Sequence, residues 1–169
     1  MKKFYFLFLF LILCSEAKTN EINGAFGKSF GEVYDGGRVL SETTSGEKIY
    51  SFNPENPNPI FTKYGVIITP KTKKISEIWA WGYFDSSTKC EAQFQIIEIL
   101  LDKKYESLKS KNSFSFGSTN ANYKSDNRRI SLRCPFEFGD TPLYLQYIDN
   151  DIQRLVIEEK AENQNSDGF

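Results

Sequence analysis

Apolar and polar residues alternate with different periods in successive parts of the chain, and each period predicts a different element. Residues 4–13 are apolar without interruption. Ten residues rise only about 15 Å as a helix, half the hydrocarbon core of a bilayer. Residues 18–48 are rich in Gly, Ser and Thr, with Phe26, Phe30 and Tyr34 set among them, so regular structure there should be brief. A short strand is expected at 49–52, followed by a loop at 53–59, where Pro54, Pro57 and Pro59 remove ladder donors.

The clearest local unit is a hairpin over 61–84. Its first strand is the β-rich run Tyr64-Gly-Val-Ile-Ile-Thr69, its turn runs from Pro70 to Lys74, and its second strand covers 75–84. Alternation along that second strand puts Ile78, Ala80 and Gly82 on one face and Trp79, Trp81 and Tyr83 on the other. The period then changes. Cys90, Phe94, Ile97, Leu101 and Tyr105 recur at spacings of four, three, four and four, which predicts an amphipathic helix over 88–105. Thr88 and Glu91 have the spacing of a capping box at its start.

Beyond the helix the chain is polar, with weak strand character at 113–117. Ile130, Leu132 and Cys134 then alternate with Ser131 and Arg133 as a half-buried strand. The runs 143–148 and 152–157 flank Asp149, Asn150 and Asp151, which suggests a closing hairpin with a polar tip. Residues 159–169 are polar and are expected to form a flexible tail. Strands on both sides of one helix imply an α+β fold: a mostly antiparallel sheet with the helix packed on one face, as a single domain over 18–158.

Charge and cysteine usage add a compartment. Lys2 and Lys3 precede the apolar run, and Ser15 and Ala17 stand at the −3 and −1 positions of a signal-peptidase site, so residues 1–17 are expected to be a cleaved signal peptide. The alternative is a lipoprotein anchored at Cys14, although Leu13 stands where a lipobox carries a small residue. The destination is the periplasm or the exterior, with no integral membrane segment left after cleavage. Without Lys2, Lys3 and Glu16, the 21 basic and 22 acidic residues fall to 19 and 21, a net charge of −2. They are interleaved along the chain, so no nucleic-acid face is expected. Cys90 and Cys134 remain, one on the apolar face of the helix and one on the apolar face of a strand, and in an oxidising compartment they are expected to form a disulfide.

The sequence excludes much chemistry. With no histidine, Ser-His-Asp and Cys-His catalysis and His-ligated metals are all absent. Two cysteines separated by 43 residues make neither a zinc knot nor a C-x-x-C redox pair. The stretch from Gly24 to Ser29 resembles part of a phosphate loop, but Ile22 occupies the position of its first glycine. Asp149 and Asp151 lack the glycine and the bidentate glutamate of a calcium loop. Glu91, Glu98 and Asp102 offer carboxylates for glycoside hydrolysis, yet they lie on the polar side of the helix, where such groups are usually solvated. No catalytic residue, cofactor or metal is expected.

Trp79, Trp81 and Tyr83 remain as the candidate binding residues, because an aromatic sheet face left uncovered marks a partner or ligand site. The competing expectation is that these rings form a second core beneath Phe26, Phe30 and Tyr34.

Gly24-Ala-Phe-Gly27, Phe52-Asn-Pro54, Ile68-Thr-Pro70 with Thr72, and Cys90 ahead of Lys104-Tyr105 form a pattern that resembles small exported bacterial proteins without assigned activity. It extends over 24–148 and consists of turn and core residues, so it implies no catalytic role. The helix-on-sheet layout is similar to that of small secreted inhibitor modules. The resulting expectation is a non-enzymatic module that binds another protein, as an inhibitor or immunity protein does. The alternatives are a carboxylate-based hydrolase of envelope polymers and a structural protein of the cell envelope.

Overall fold

The computed structural model describes residues 21–110, 118–135 and 140–166. The expected signal peptide with Cys14 and the weak strand at 113–117 lie outside the described residues. The fold is α+β. Seven strands form one antiparallel sheet in the order β3-β4-β5-β6-β9-β8-β7. They are β3 (Arg38–Glu42), β4 (Lys48–Ser51), β5 (Lys63–Ile68), β6 (Ile75–Phe84), β7 (Ser118–Ser125), β8 (Arg128–Pro135) and β9 (Thr141–Asp149). Helix α1 (Ser87–Tyr105) links two meanders, β3 to β6 and β7 to β9, and β9 closes the sheet by pairing with β6.

Register explains the core. Ile78 stands between Val66 and Tyr147, and Ala80 between Tyr64 and Leu145. Ile130 and Leu132 continue the two rows into β8, and Tyr123 and Ala121 extend them into β7. These side chains are buried with Cys90, Phe94, Ile97, Leu101 and Tyr105 of α1, the five positions that the helical period selects. The disulfide joins Cys90 of α1 to Cys134 of β8 across 6.1 Å between Cα atoms. It therefore ties the helix to the sheet.

The N-terminal aromatics enter this same core. The hairpin of β1 (Gly24–Ala25) and β2 (Lys28–Ser29) turns through Phe26 and Gly27, whose φ values of 53° and 78° are the left-handed conformation of a tight two-residue loop. Phe26 thereby points its ring edge-on at Tyr64, 5.0 Å away, and at Phe61 and Tyr147. Tyr34 packs edge-on against Tyr50. The glycine pattern that resembles a phosphate loop is thus a hairpin that seats an aromatic plug.

Three local expectations differ from the structure. The side chain that caps α1 is Ser86, which accepts from the Lys89 amide, so Thr88 lies inside the first turn; the Glu91 carboxylate accepts instead from Thr119 of β7. Strand β7 falls in a stretch that reads as polar, because only Ala121 and Tyr123 point inward from it. The closing hairpin does not form: after β9 the chain enters helix α2 (Asn150–Ser166). Asp149 Oδ1 accepts from the Asp151 and Ile152 amides at 3.0 and 3.1 Å, so the supposed turn is a helix N-cap.

Helix α2 also continues through Glu159, beyond the expected domain end at 158. Glu159 is buried, and its carboxylate accepts from the Lys71 amide at 2.7 Å and from the Thr72 amide and hydroxyl. Burial alone would raise this carboxyl; the hydrogen bonds from Thr72 and Lys71 outweigh it and hold the group below the ordinary glutamate range. A depressed folded-state pKa contributes stability above the unfolded value and loses it as pH falls through the folded value. Glu159→Ala should therefore cost about 2 kcal/mol at neutral pH, the scale of a hydrogen-bonded charge. Urea titrations should show the deficit closing in acid, and an equal deficit at every pH would argue against the ionised anchor.

Candidate functional site

The face of the sheet opposite α1 carries the candidate binding residues. β6 turns Glu77, Trp79, Trp81 and Tyr83 to this side, as the alternation predicts. Register sets Ile67 and Ile148 beside Glu77, with Ile49 beyond Ile67, Gly65 and Gln146 beside Trp79, and Lys63 and Tyr144 beside Trp81. The Trp79 and Trp81 rings lie 4.6 Å apart at 32°, and Tyr144 meets Trp81 edge-to-face at 5.3 Å. Gly65 makes the Trp79 position possible. A Cβ there would lie 2.1 Å from Trp79 Cζ2, so the indole rests directly on the β5 backbone.

The three predicted residues differ in exposure. Trp79 is 4 % exposed and Tyr83 43 %, with Trp81 between them. Their surroundings include none of the N-terminal aromatics, which lie in the helix-side core. Trp79 and Trp81 instead line a cavity of about 610 Å³, whose other walls include Leu40 at the β3 edge, Ile49, Ile67 and Glu77. Tyr83 lies outside this lining and receives the Lys63 ammonium 4.9 Å from its ring centroid. A concavity of this size, mainly apolar in surface with polar side chains among its walls, has the form of a binding site.

Two polar groups in the site lack full satisfaction. Trp81 Nε1 is the one buried side-chain nitrogen or oxygen without a hydrogen-bond partner among the described residues. Such a donor costs about 1–3 kcal/mol when left unpaired. Glu77 is 7 % exposed; its Oε1 accepts from Gln146 Nε2 at 2.9 Å, while its Oε2 takes no hydrogen bond from the described residues. Burial pushes the Glu77 carboxyl up to about 7 against the lowering effects of Gln146 and Arg129, with Glu47 adding to the rise. The periodicity that selects Trp79 and Trp81 also selects Glu77, two residues earlier on the same face. It cannot show that Ile49 and Leu40 line the same concavity.

The carboxylates of α1 serve a different purpose. Lys109 pairs with Glu98 at 3.0 Å and with Asp102 at 2.7 Å, and Tyr123 donates to Asp102 at 2.5 Å. Burial alone would raise the Asp102 carboxyl, and the bonds from Lys109 and Tyr123 bring it below its usual range. A general acid for glycoside hydrolysis needs the opposite shift. Among the described residues, no group of three or more His, Cys, Asp or Glu side chains is placed to hold a metal ion, and no helix is long and apolar enough to cross a membrane.

No protein family, curated protein or solved structure compared with the chain matches it.

Proposed function

We propose that this protein is a non-enzymatic binding module, exported by its N-terminal signal peptide to the periplasm or the exterior, that takes a partner protein into the groove beside Trp79 and Trp81 as an inhibitor or immunity protein does. The observation that carries this reading is the groove itself: about 610 Å³, apolar and aromatic, beside the edge strand β3. Large aromatics in a partly closed pocket supply most of the binding energy at protein interfaces. The unpaired indole N–H of Trp81 and the half-satisfied Glu77 add polar groups for a partner to complete. The disulfide and the absence of a membrane-crossing helix among the described residues are compatible with an extracytoplasmic protein. On α1, Asp102 is held, against the effect of burial, below its usual range by Lys109 and Tyr123, the opposite of the raised acid that hydrolysis needs.

The test is affinity capture from envelope extracts with three proteins matched for melting temperature. Wild type should retain a partner that Trp81→Ala binds about 30-fold more weakly, the loss of one hot-spot side chain. Ile99→Lys, on the outer side of α1, should bind as wild type does. Equal capture by wild type and Trp81→Ala would place the interface elsewhere.

A further inference from the structure

We infer that the groove recognises a lysine side chain presented by the partner protein, with the ammonium bonded to Glu77 and the aliphatic stem lying along Trp79 and Trp81; this rests on the binding-module reading above. Glu77 is a carboxylate more than nine-tenths buried that lines a concavity whose surface is mainly apolar. Gln146 occupies Oε1 and leaves Oε2 as the acceptor, so the site provides one point of attachment. That geometry favours an ammonium, which donates as a compact point charge, over a guanidinium, whose planar fork is best matched by both oxygens of a carboxylate. Indole faces beside the carboxylate suit the same group, since they attract cations and cover methylene stems.

The groove's own cation does not fill this role. Lys63 lines the cavity, but its ammonium sits over the Tyr83 ring, and Lys63 pairs in register with Trp81, two positions beyond Trp79. The titratable groups that act on Glu77 are Arg129 of β8 and Glu47 of the β3–β4 turn. On α2, Glu159 is committed to the Lys71 and Thr72 backbone. The carboxyl can therefore release its proton to solvent and pair, as a carboxylate, with an incoming ammonium. With its midpoint near 7, about a tenth of the sites are ionised at pH 6 and about nine-tenths at pH 8.

The experiment uses the disulfide-bonded protein, followed through the indole N–H resonances of Trp79 and Trp81. The probes are Nα-acetyl-lysine N-methylamide and its norleucine and arginine counterparts, each titrated at pH 6 and pH 8. The lysine probe should bind about tenfold more tightly at pH 8 than at pH 6, and Glu77→Gln should remove that dependence while leaving the indole shifts of the folded state in place. If norleucine binds as well as lysine, the cation is not read, although the groove remains a docking site. If arginine binds more tightly than lysine, or binding strengthens as pH falls, the single-acceptor geometry is wrong. If no probe moves the indole resonances, both the lysine site and the groove reading fall.

Discussion

Gly65→Ala should destabilise the protein by about 3 kcal/mol, at the upper end of overpacking costs, and should reshape the groove. The added methyl would lie 2.1 Å from Trp79 Cζ2, 2.4 Å from Trp79 Cε2 and 2.5 Å from the Tyr50 carbonyl oxygen. A flexible side chain at one contact would swing away at little cost. Here one obstacle is backbone: Tyr50 lies in β4, hydrogen-bonded to β5, so relieving that contact disturbs the sheet ladder. The other obstacle is a large ring already 4.6 Å from Trp81. Urea unfolding followed by far-UV circular dichroism gives the stability change, and acrylamide quenching reports the indoles. Wild type should show one well-shielded and one partly shielded tryptophan, and Gly65→Ala should expose both to the quencher. A variant within about 0.5 kcal/mol of wild type, the range of an inconsequential surface change, would mean that Trp79 does not rest on β5.

The same glycine shows where sequence reasoning reaches its limit. Alternation in β6 separates small residues from large ones, and the helix does pack on the side of Ile78 and Ala80, which share one core with Phe94 and Ile97. The five buried positions of α1 and the inward positions of β8 are equally legible, since a face buried along its whole length leaves a clean period. Strand β7 is not legible. As an edge strand it buries only Ala121 and Tyr123, and its remaining side chains are polar. Helix α2 is misread for another reason. Residues 152–157 contain a run of β-branched and apolar residues after a turn-like Asp-Asn-Asp, whereas the helix is fixed by the Asp149 cap and by Val156 and Glu159, three apart, turned inward. A buried glutamate cannot be recognised by hydropathy; its partners at Lys71 and Thr72 are nearly ninety residues away.

The candidate site divides along the same line. Trp79 and Trp81 share a face by local geometry alone, so sequence places them together. What turns that face into a groove is non-local: β4 brings Ile49 and β3 brings Leu40 to the same concavity as the tryptophans, and Phe26 is drawn to the helix side by Phe61, Tyr64 and Tyr147. Glu77 acquires its raised proton affinity chiefly from burial, with Glu47 of the β3–β4 turn adding to it. Its neighbour in sequence, Ser76, is also buried but donates to the Ile67 carbonyl and is satisfied within the hairpin. The distinction between a settled polar group and an available one thus depends on tertiary partners.

Removing the disulfide should have the largest effect on stability. Cys90 and Cys134 are separated by 44 positions, and closing a loop of that size restricts the unfolded chain by about 4 kcal/mol on the chain-entropy relation. Both cysteines are fully buried between α1 and β8, so Cys90→Ala with Cys134→Ala leaves apolar side chains in an apolar setting and no unpaired polar group. The double variant should unfold at a melting temperature about 10 °C below wild type, as expected for a chain of this size. Reduced wild type should melt close to the double variant, because both lose the same constraint. A deficit below about 1 kcal/mol would mean that the unfolded chain is already restricted by residual structure. The expected loss is a large share of the 5–15 kcal/mol that usually holds a domain folded. A protein that depends on this bond is stable where thiols are oxidised and marginal where they are reduced. The staple also lies on the face opposite Trp79 and Trp81. Its loss should therefore lower the population of folded protein while leaving the affinity of each folded molecule for the lysine probe unchanged.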